Sequence, residues 1–414
     1  MMNMHSVLCH AAFMLISMPS TVGAMANGVA RTPPLGWSTW ETCADKLCTH
    51  DVCTESEVLA VADAMVMRGL RKAGWEYVNL DDCWAGATRT VNGSLTWDIG
   101  RFPSGIPSLA DELHARGLKL GVYTSAGHTT CHGRLPGSRD HYAEDARTFA
   151  SWGVDYIKFD WCGDIKKELW LGRRAHLEFA AAINQSGRPM ALEVVAGYFF
   201  LGEEIRSAAN VWRFCLDHHD TFKSTVEAIA CRLDLSGKAV GAPGGWPSMD
   251  LLTTGGAGCQ TASHCPGQSE AAYETEFALW ALTQSPLLIA TDLRNMTKQM
   301  AALMLNAELI AIHQLTATPP GRHLATWACT EPLKCSIWGR ELHRNGTEWL
   351  VGLVNLGSRK HTIVAAWALL GWSPTVRAHV RDVLAGQVLL NETSTEVSLQ
   401  VDPQGTRLIR LRHL

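Results

Sequence analysis

Apolar positions are spaced in two different ways along this chain, and the change falls near residue 315. Before it, short continuous apolar runs alternate with stretches in which apolar residues recur every three to four positions. The runs Leu35–Trp40, Tyr77–Cys83, Leu118–Thr124, Tyr156–Asp160, Met190–Val195, Val211–Asp217, Lys238–Ala242 and Pro286–Leu293 read as strands. Between them, Glu55–Arg71 sets Val58, Leu59, Ala62, Met65 and Val66 on one helical stripe, and Ile106–Arg116, His141–Trp152, Leu169–Asn184 and Ala271–Thr283 behave similarly. Eight strands alternating with helices over about 280 residues fit a (β/α)8 TIM barrel, an α/β fold. A doubly wound open sheet is the alternative, but no GxGxxG follows the first strand.

After Leu315 the runs shorten and Gly, Asn and Pro punctuate them. Trp327-Ala328, Cys335–Trp338, Trp349–Asn355, His361–Ala366, Val376–Val383, Gln387–Leu390 and Leu408–Leu411 predict a C-terminal antiparallel β-sandwich. The expected organisation is a leader over residues 1–26, a catalytic barrel over 27–317 and a β domain over 318–414.

Hydrophobic residues at 47% and charged residues at 18% describe a core-forming protein, not a disordered one. The net charge of -4 comes without a basic block, so no nucleic-acid partner is expected. The 17 histidines would turn the balance positive at mildly acidic pH. Val7–Met18 is apolar and is followed by small residues through Ala26, as in a signal peptide. That run is too short to span a bilayer, so no membrane association is expected. Thirteen cysteines, one in the leader, leave twelve in close spacings without a CxxC unit, which favours disulfides over a zinc site. The sequons at Asn92, Asn184, Asn295, Asn345 and Asn391 agree with a glycosylated, secreted or lysosomal/vacuolar protein. Sixteen tryptophans stand ready to fill the core or to stack on sugar rings.

The chemistry is expected where parallel strands end in loops. Those ends carry Trp40-Glu41, Asp81-Asp82, Tyr123, Lys158 with Asp160, Arg213 with Asp217, and Asp250 a few residues past its strand. Six carboxylates with one lysine and one arginine on one face are hard to explain as packing, because a buried carboxylate is costly unless paired. Three chemistries could use the set. Oxygen ligands could hold magnesium or calcium, though Lys158 and Arg213 would stand beside the cation. Lys158 could form a Schiff base, though Asp160 would tend to keep it charged. Glycoside hydrolysis uses two carboxylates around an anomeric carbon while other polar and aromatic groups grip the sugar. No cofactor or metal is then needed.

These segments also carry a resemblance. Arg31-Thr-Pro-Pro-Leu-Gly-Trp-Ser-Thr-Trp40, Leu80-Asp-Asp-Cys-Trp84, Arg101-Phe-Pro-Ser-Gly-Ile106, Trp152-Gly-Val-Asp-Tyr-Ile-Lys-Phe-Asp160, Pro243-Gly-Gly-Trp246 and Pro286-Leu-Leu-Ile-Ala-Thr-Asp-Leu-Arg294 are similar, in order, to glycoside hydrolase family 27. That family holds α-galactosidases and α-N-acetylgalactosaminidases (melibiases). The resemblance implies a retaining enzyme with Asp160 as nucleophile and Asp217 as acid/base. It implies Asp81 and Asp82 as contacts to the galactose 4- and 6-hydroxyls, and Trp40, Tyr123, Lys158, Arg213 and Asp250 as further sugar contacts. Retention requires the two catalytic carboxyl groups to stand about 5–5.5 Å apart. The implied substrate is a galactose-type sugar, with a homodimer as a compatible assembly. The resemblance also implies disulfides Cys43–Cys83, Cys48–Cys53 and Cys131–Cys162. A further family bridge is replaced here by Val194 and Ala209. Cys215/Cys231, Cys259/Cys265 and Cys329/Cys335 pair by proximity alone.

The departure falls after the fifth strand, where the family reads the sugar's 2-substituent. Here Leu192-Glu-Val-Val-Ala-Gly-Tyr198 puts Val195 at the discriminating position, with Glu193 either a shifted site ligand or a rim charge. An α-N-acetylgalactosaminidase and a β-L-arabinopyranosidase are therefore the alternative activities. A non-catalytic sugar-binding barrel is the alternative of a different class.

Overall fold

The structure, a computed structural model, describes residues 25, 27–42, 51–133, 135–167, 169–195, 208–234, 241–256, 266–327 and 335–414. Apart from Met25, the expected leader lies outside these residues. Strands β1 (Leu35–Ser38), β2 (Tyr77–Asn79), β3 (Lys119–Ser125), β4 (Tyr156–Asp160), β5 (Ala191–Val195), β6 (Val211–Arg213), β7 (Trp246–Ser248) and β8 (Leu287–Ile289) form one parallel sheet in the order β7-β6-β5-β4-β3-β2-β1-β8. A parallel bridge from Leu252, just past β7, to Ile289 of β8 joins its two ends into a barrel.

The described helices are α1 (Glu55–Met67), α2 (Ile106–Ala115), α3 (Tyr142–Ser151), α4 (Leu169–Gln185), α5 (Phe222–Asp234), α6 (Glu270–Leu282), α7 (Lys298–Met304) and α8 (Ala307–His313). Several start where a short polar side chain satisfies an orphan N–H. Thr54 accepts from Glu57, Ser269 from Ala272, Thr297 from Met300 and Asn306 from Leu309.

Along β4 the alternation of side chains divides labour. Ile157 and Phe159 point outward into the helix layer, Phe159 stacking on Phe179 at 4.3 Å, while Tyr156, Lys158 and Asp160 face the interior. Deep in the barrel, Tyr77, Tyr156, Ala191, Val211, Leu251, Leu288 and Ala290 form an apolar plug. The entering chain also ties into the barrel. Asn27 Nδ2 donates to the Met190 carbonyl at 2.8 Å and Trp246 Nε1 to the Ala30 carbonyl at 2.8 Å.

Two strand expectations are corrected. The sixth strand stops at Arg213, so Asp217 rides on a loop rather than at a strand end. The seventh runs over Trp246–Ser248, not Lys238–Ala242; residues 238–240 lie outside the described set, and Ala242 makes only an isolated bridge to Gly245. Pro247 disguises this strand, because a residue without an N–H argues against a sheet interior.

Beyond the barrel lie β9 (Arg322–Trp327), β10 (Cys335–Glu341), β11 (Glu348–Asn355), β12 (His361–Ala366), β13 (Arg377–Asp382), β14 (Gln387–Ser394), β15 (Glu396–Val401) and β16 (Thr406–His413). A six-stranded sheet, β14-β13-β16-β11-β10-β9, faces a two-stranded one, β12-β15, and their antiparallel strands enclose Ile337, Val351, Ile363, Val380, Val397 and Ile409. The sequence pattern missed β15, although Val397, Leu399 and Val401 alternate inward with Glu396, Ser398 and Gln400 facing out. The opposite face of the large sheet packs on α6, which is buried on every side from Ala272 to Leu282 apart from Glu274. Arg340 of β10, 1% exposed, fixes the same junction by donating to the carbonyls of Ile312, Leu315, Thr318 and Pro319 at the end of α8 and beyond.

Three disulfides join described residues: Cys53–Cys83, Cys131–Cys162 and Cys215–Cys231. The last two match expectation. The first corrects Cys43–Cys83 and Cys48–Cys53: the chain entering α1 brings the Cα of Cys53 within 6.3 Å of that of Cys83, a bridging distance. Cys43, Cys48, Cys259, Cys265 and Cys329 lie outside the described residues. Val194 and Ala209 are both wholly buried in the same apolar core.

Candidate active site

β4 supplies Lys158 and, two residues on, Asp160 at the same interior face. Lys158 Nζ donates to Asp81 Oδ2 at 2.6 Å and lies 5.5 Å from the Trp40 ring centroid and 5.4 Å from that of Tyr123. Burial alone would lower its ammonium, but the Asp81, Asp160 and Asp250 carboxylates outweigh that and hold it above its ordinary value. Asp160 accepts from the Trp161 N–H at 2.7 Å and from the Tyr123 hydroxyl at 3.1 Å. Burial, then the charges of Asp160, Asp82 and Asp81, push the Tyr123 phenol up, so it stays a donor.

Across the mouth, Arg213 at the end of β6 bridges two carboxylates, with Asp217 Oδ1 at 2.7 Å and Asp250 Oδ2 at 2.9 Å. Asp250 is buried with φ of 82°, a conformation unusual for a residue with a side chain. Burial would raise its carboxyl, but Arg213, Lys158 and the His218 N–H together lower it. Asp217 stands half exposed at the mouth. Its loop is pinned on both sides: the His218 ring lies 3.0 Å from Glu276 and 3.0 Å from Ser224, and His219 lies 2.9 Å from Glu41.

Asp82 completes the ring. Burial pushes its carboxyl up, against the pull of the His132 N–H, which donates to Oδ2 at 3.2 Å. The structure thus gathers Trp40, Asp81, Asp82, Tyr123, Lys158, Asp160, Arg213, Asp217 and Asp250 around one cup. Lys158 and Arg213 link its halves, since each feels both Asp160 and Asp250.

Glu193 is not a rim charge. It is 3% exposed beneath the cup, where its Oε2 accepts from the Tyr156 hydroxyl at 2.7 Å. Val195 is the residue of β5 level with Arg213. The pairing of His132 with Asp82 and of Tyr156 with Glu193 also escaped sequence reading: each residue lies beside its carboxylate only after folding, although Tyr156 stands inside the Trp152–Asp160 motif. Atoms of Cys131, Asp160 and Cys162 lie within 4.8 Å of one another, but the two sulfurs are joined to each other and leave no thiolate pair for a metal.

A parallel barrel whose C-terminal rim carries paired carboxylates with aromatic and cationic neighbours defines the class: a glycoside hydrolase. Comparison with known sequences agrees at both ends of the chain. Residues 32–315 match the domain described as alpha galactosidase A, and residues 334–411 the alpha galactosidase C-terminal beta sandwich domain. The chain belongs to the α-galactosidase (melibiase) family, glycoside hydrolase family 27. An alpha-galactosidase of Cyamopsis tetragonoloba is 34% identical over 385 residues, covering 92% of this chain and 86% of that protein. One of Oryza sativa subsp. japonica is 35% identical over 371 residues, covering 87% and 81%. The crystal structure of alpha-galactosidase I from Mortierella vinacea superposes with a TM-score of 0.82 at 27% identity, covering 93% of this chain and 98% of that one.

Proposed function

We propose that this enzyme is a retaining α-galactosidase that removes terminal α-D-galactosyl residues. The observation that carries the reading is the cup itself, where Asp160 and Asp217 share the field of Arg213 while Lys158 ties Asp160's strand to Asp81. Asp160, oriented by Tyr123 and the Trp161 N–H, attacks the anomeric carbon as the bond to the leaving oxygen breaks. Asp217, at the open mouth, gives that oxygen its proton, and a glycosyl ester forms on Asp160. Water then attacks the same carbon, Asp217 takes its proton, and the ester bond to Asp160 breaks. Two displacements return the original anomeric configuration.

Asp81 with Lys158 and Asp82 beside Trp40 form the hydroxyl-binding side, and Asp250 holds Arg213 in place. The five sequon asparagines are all exposed, which supports glycosylation in the secretory pathway. The disulfides support the same route.

Hydrolysis of aryl α-galactoside, α-N-acetylgalactosaminide and β-L-arabinopyranoside at acidic pH tests the reading. The galactoside should be turned over fastest, with the α-anomer of galactose as first product by NMR. Asp160→Ala should abolish turnover, and Asp217→Ala should slow it by about 10²–10⁴-fold. Release of the β-anomer, or unchanged rates in Asp160→Ala, would refute the mechanism. Val195 favours one second reading, α-N-acetylgalactosaminidase, because a small apolar residue level with Arg213 leaves the 2-position without a polar reader. Preference for the N-acetyl substrate in the same panel would establish it.

A further inference from the structure

The loop between β3 and α3 delivers one side chain to the cup that the mechanism above does not use. Its shape is held by a bridge between Thr129 and Pro136, by the Thr130 N–H donating to the Leu135 carbonyl at 3.0 Å, and by a turn at Gly133 with φ of 69°. The Cys131–Cys162 disulfide fastens it to the chain just beyond Asp160. At its tip sits His132. The backbone N–H donates to Asp82 Oδ2, Nδ1 of the ring lies 3.4 Å from the same oxygen, and the ring tilts against Trp40 with centroids 6.0 Å apart.

The burial of the two partners differs sharply: the His132 side chain is 57% exposed and that of Asp82 only 2%. The imidazole is therefore a lip over a buried carboxylate, with Nε2 turned away from Asp82 and without a partner among the described residues. A pyranose lying on Trp40 with a hydroxyl on Asp82 has to pass within reach of this ring. Asp81 is taken up by Lys158 while Asp82 borders the lip, so a sugar arm that reaches Asp82, such as the projecting hydroxymethyl group of a hexose, also meets the imidazole.

We propose that His132 is a further sugar-contacting, specificity-determining residue. Its Nδ1 steadies Asp82, and its Nε2 hydrogen-bonds the 6-hydroxyl of a terminal hexopyranoside. The inference rests on the proposed role of Asp82 and adds a second contact to the same hydroxyl. One hydrogen bond of this kind changes affinity by about 3- to 10-fold.

The test is steady-state kinetics of the whole enzyme, its His132→Ala and His132→Asn variants, and Asp82→Asn. The substrates are an aryl α-D-galactoside and its 6-deoxy analogue, and thermal unfolding checks that each variant is folded. His132→Ala should raise KM for the galactoside about 3- to 10-fold with kcat within about twofold, and leave KM for the 6-deoxy sugar unchanged. His132→Asn, which keeps a polar group at the lip, should recover part of the loss. Equal effects on both sugars, no effect on either, or a loss confined to kcat would overturn the proposal. If Asp82→Asn raises KM and His132→Ala does not, the lip alone fails. If neither does, the assignment of Asp82 fails with it.

Discussion

Glu193 sits below the sugar cup as a carboxyl whose proton matters to folding. Burial, the largest influence, pushes it up to about 7, against the pull of Lys158 and the Tyr156 hydroxyl. The sign comes from linkage. The folded chain keeps this proton up to about pH 7, while an unfolded glutamate loses it near 4.5. Between those values the folded state binds more protons, so its stability falls as pH rises, by about 3 kcal/mol over the window. Glu193→Gln should abolish that contribution and leave the variant more stable than the parent at pH 7, as urea unfolding at pH 5 and pH 7 will measure. The parity of β5 already told that Glu193 and Val195 face the same way. Depth was not legible, because nothing in a strand's own residues says how far it has sunk below the rim when it meets Lys158.

At the scale of elements, most of the barrel was readable because buried parallel strands and amphipathic helices have different periods. The helices expected over Glu55–Arg71 and Ala271–Thr283 run over Glu55–Met67 and Glu270–Leu282, within a few residues of expectation. The failures have separate causes: β7 is disguised by Pro247, and the loop leaving the short β6 is shaped by partners from elsewhere in the chain. Asp217 is placed by its neighbours, not by its strand. His218 carries this placement through Glu276, a buried carboxylate that also accepts from the Thr253 N–H at 2.6 Å. His218→Ala should leave Glu276 short of a partner and cost about 1–3 kcal/mol of stability. It should also lower kcat more than it raises KM, because the loop that carries the proposed acid/base loosens; calorimetry and kinetics on one preparation will separate the two.

On the scale of the whole molecule, the last barrel helix ends at His313 and the first strand of the β-sandwich begins at Arg322, but the sequence pattern did not say how tightly the two parts are joined. α6 is buried on nearly every side, with the polar Thr275 and Glu276 among its buried residues, and it acquires that interior only when the sheet closes over it. Arg340 is the polar part of the same junction, and its sequence context is that of an ordinary strand residue. Arg340→Met keeps much of the volume yet strands several carbonyls, so it should destabilise the protein by about 3 kcal/mol and lower its Tm by several degrees. A Tm within one degree of the parent would remove Arg340 from this role.

The wrapped α6 has a consequence for how the enzyme is inherited and cut. The sandwich behaves as a permanently tethered subunit whose docking face is the barrel's own missing wall. A barrel released from it would present the face of α6 that carries Thr275 and Leu282 to water, and would seek another surface to cover it. Catalysis and the C-terminal sheet are thus a single unit of selection: a lesion far out on β10 or β16 can silence a sugar site it never touches.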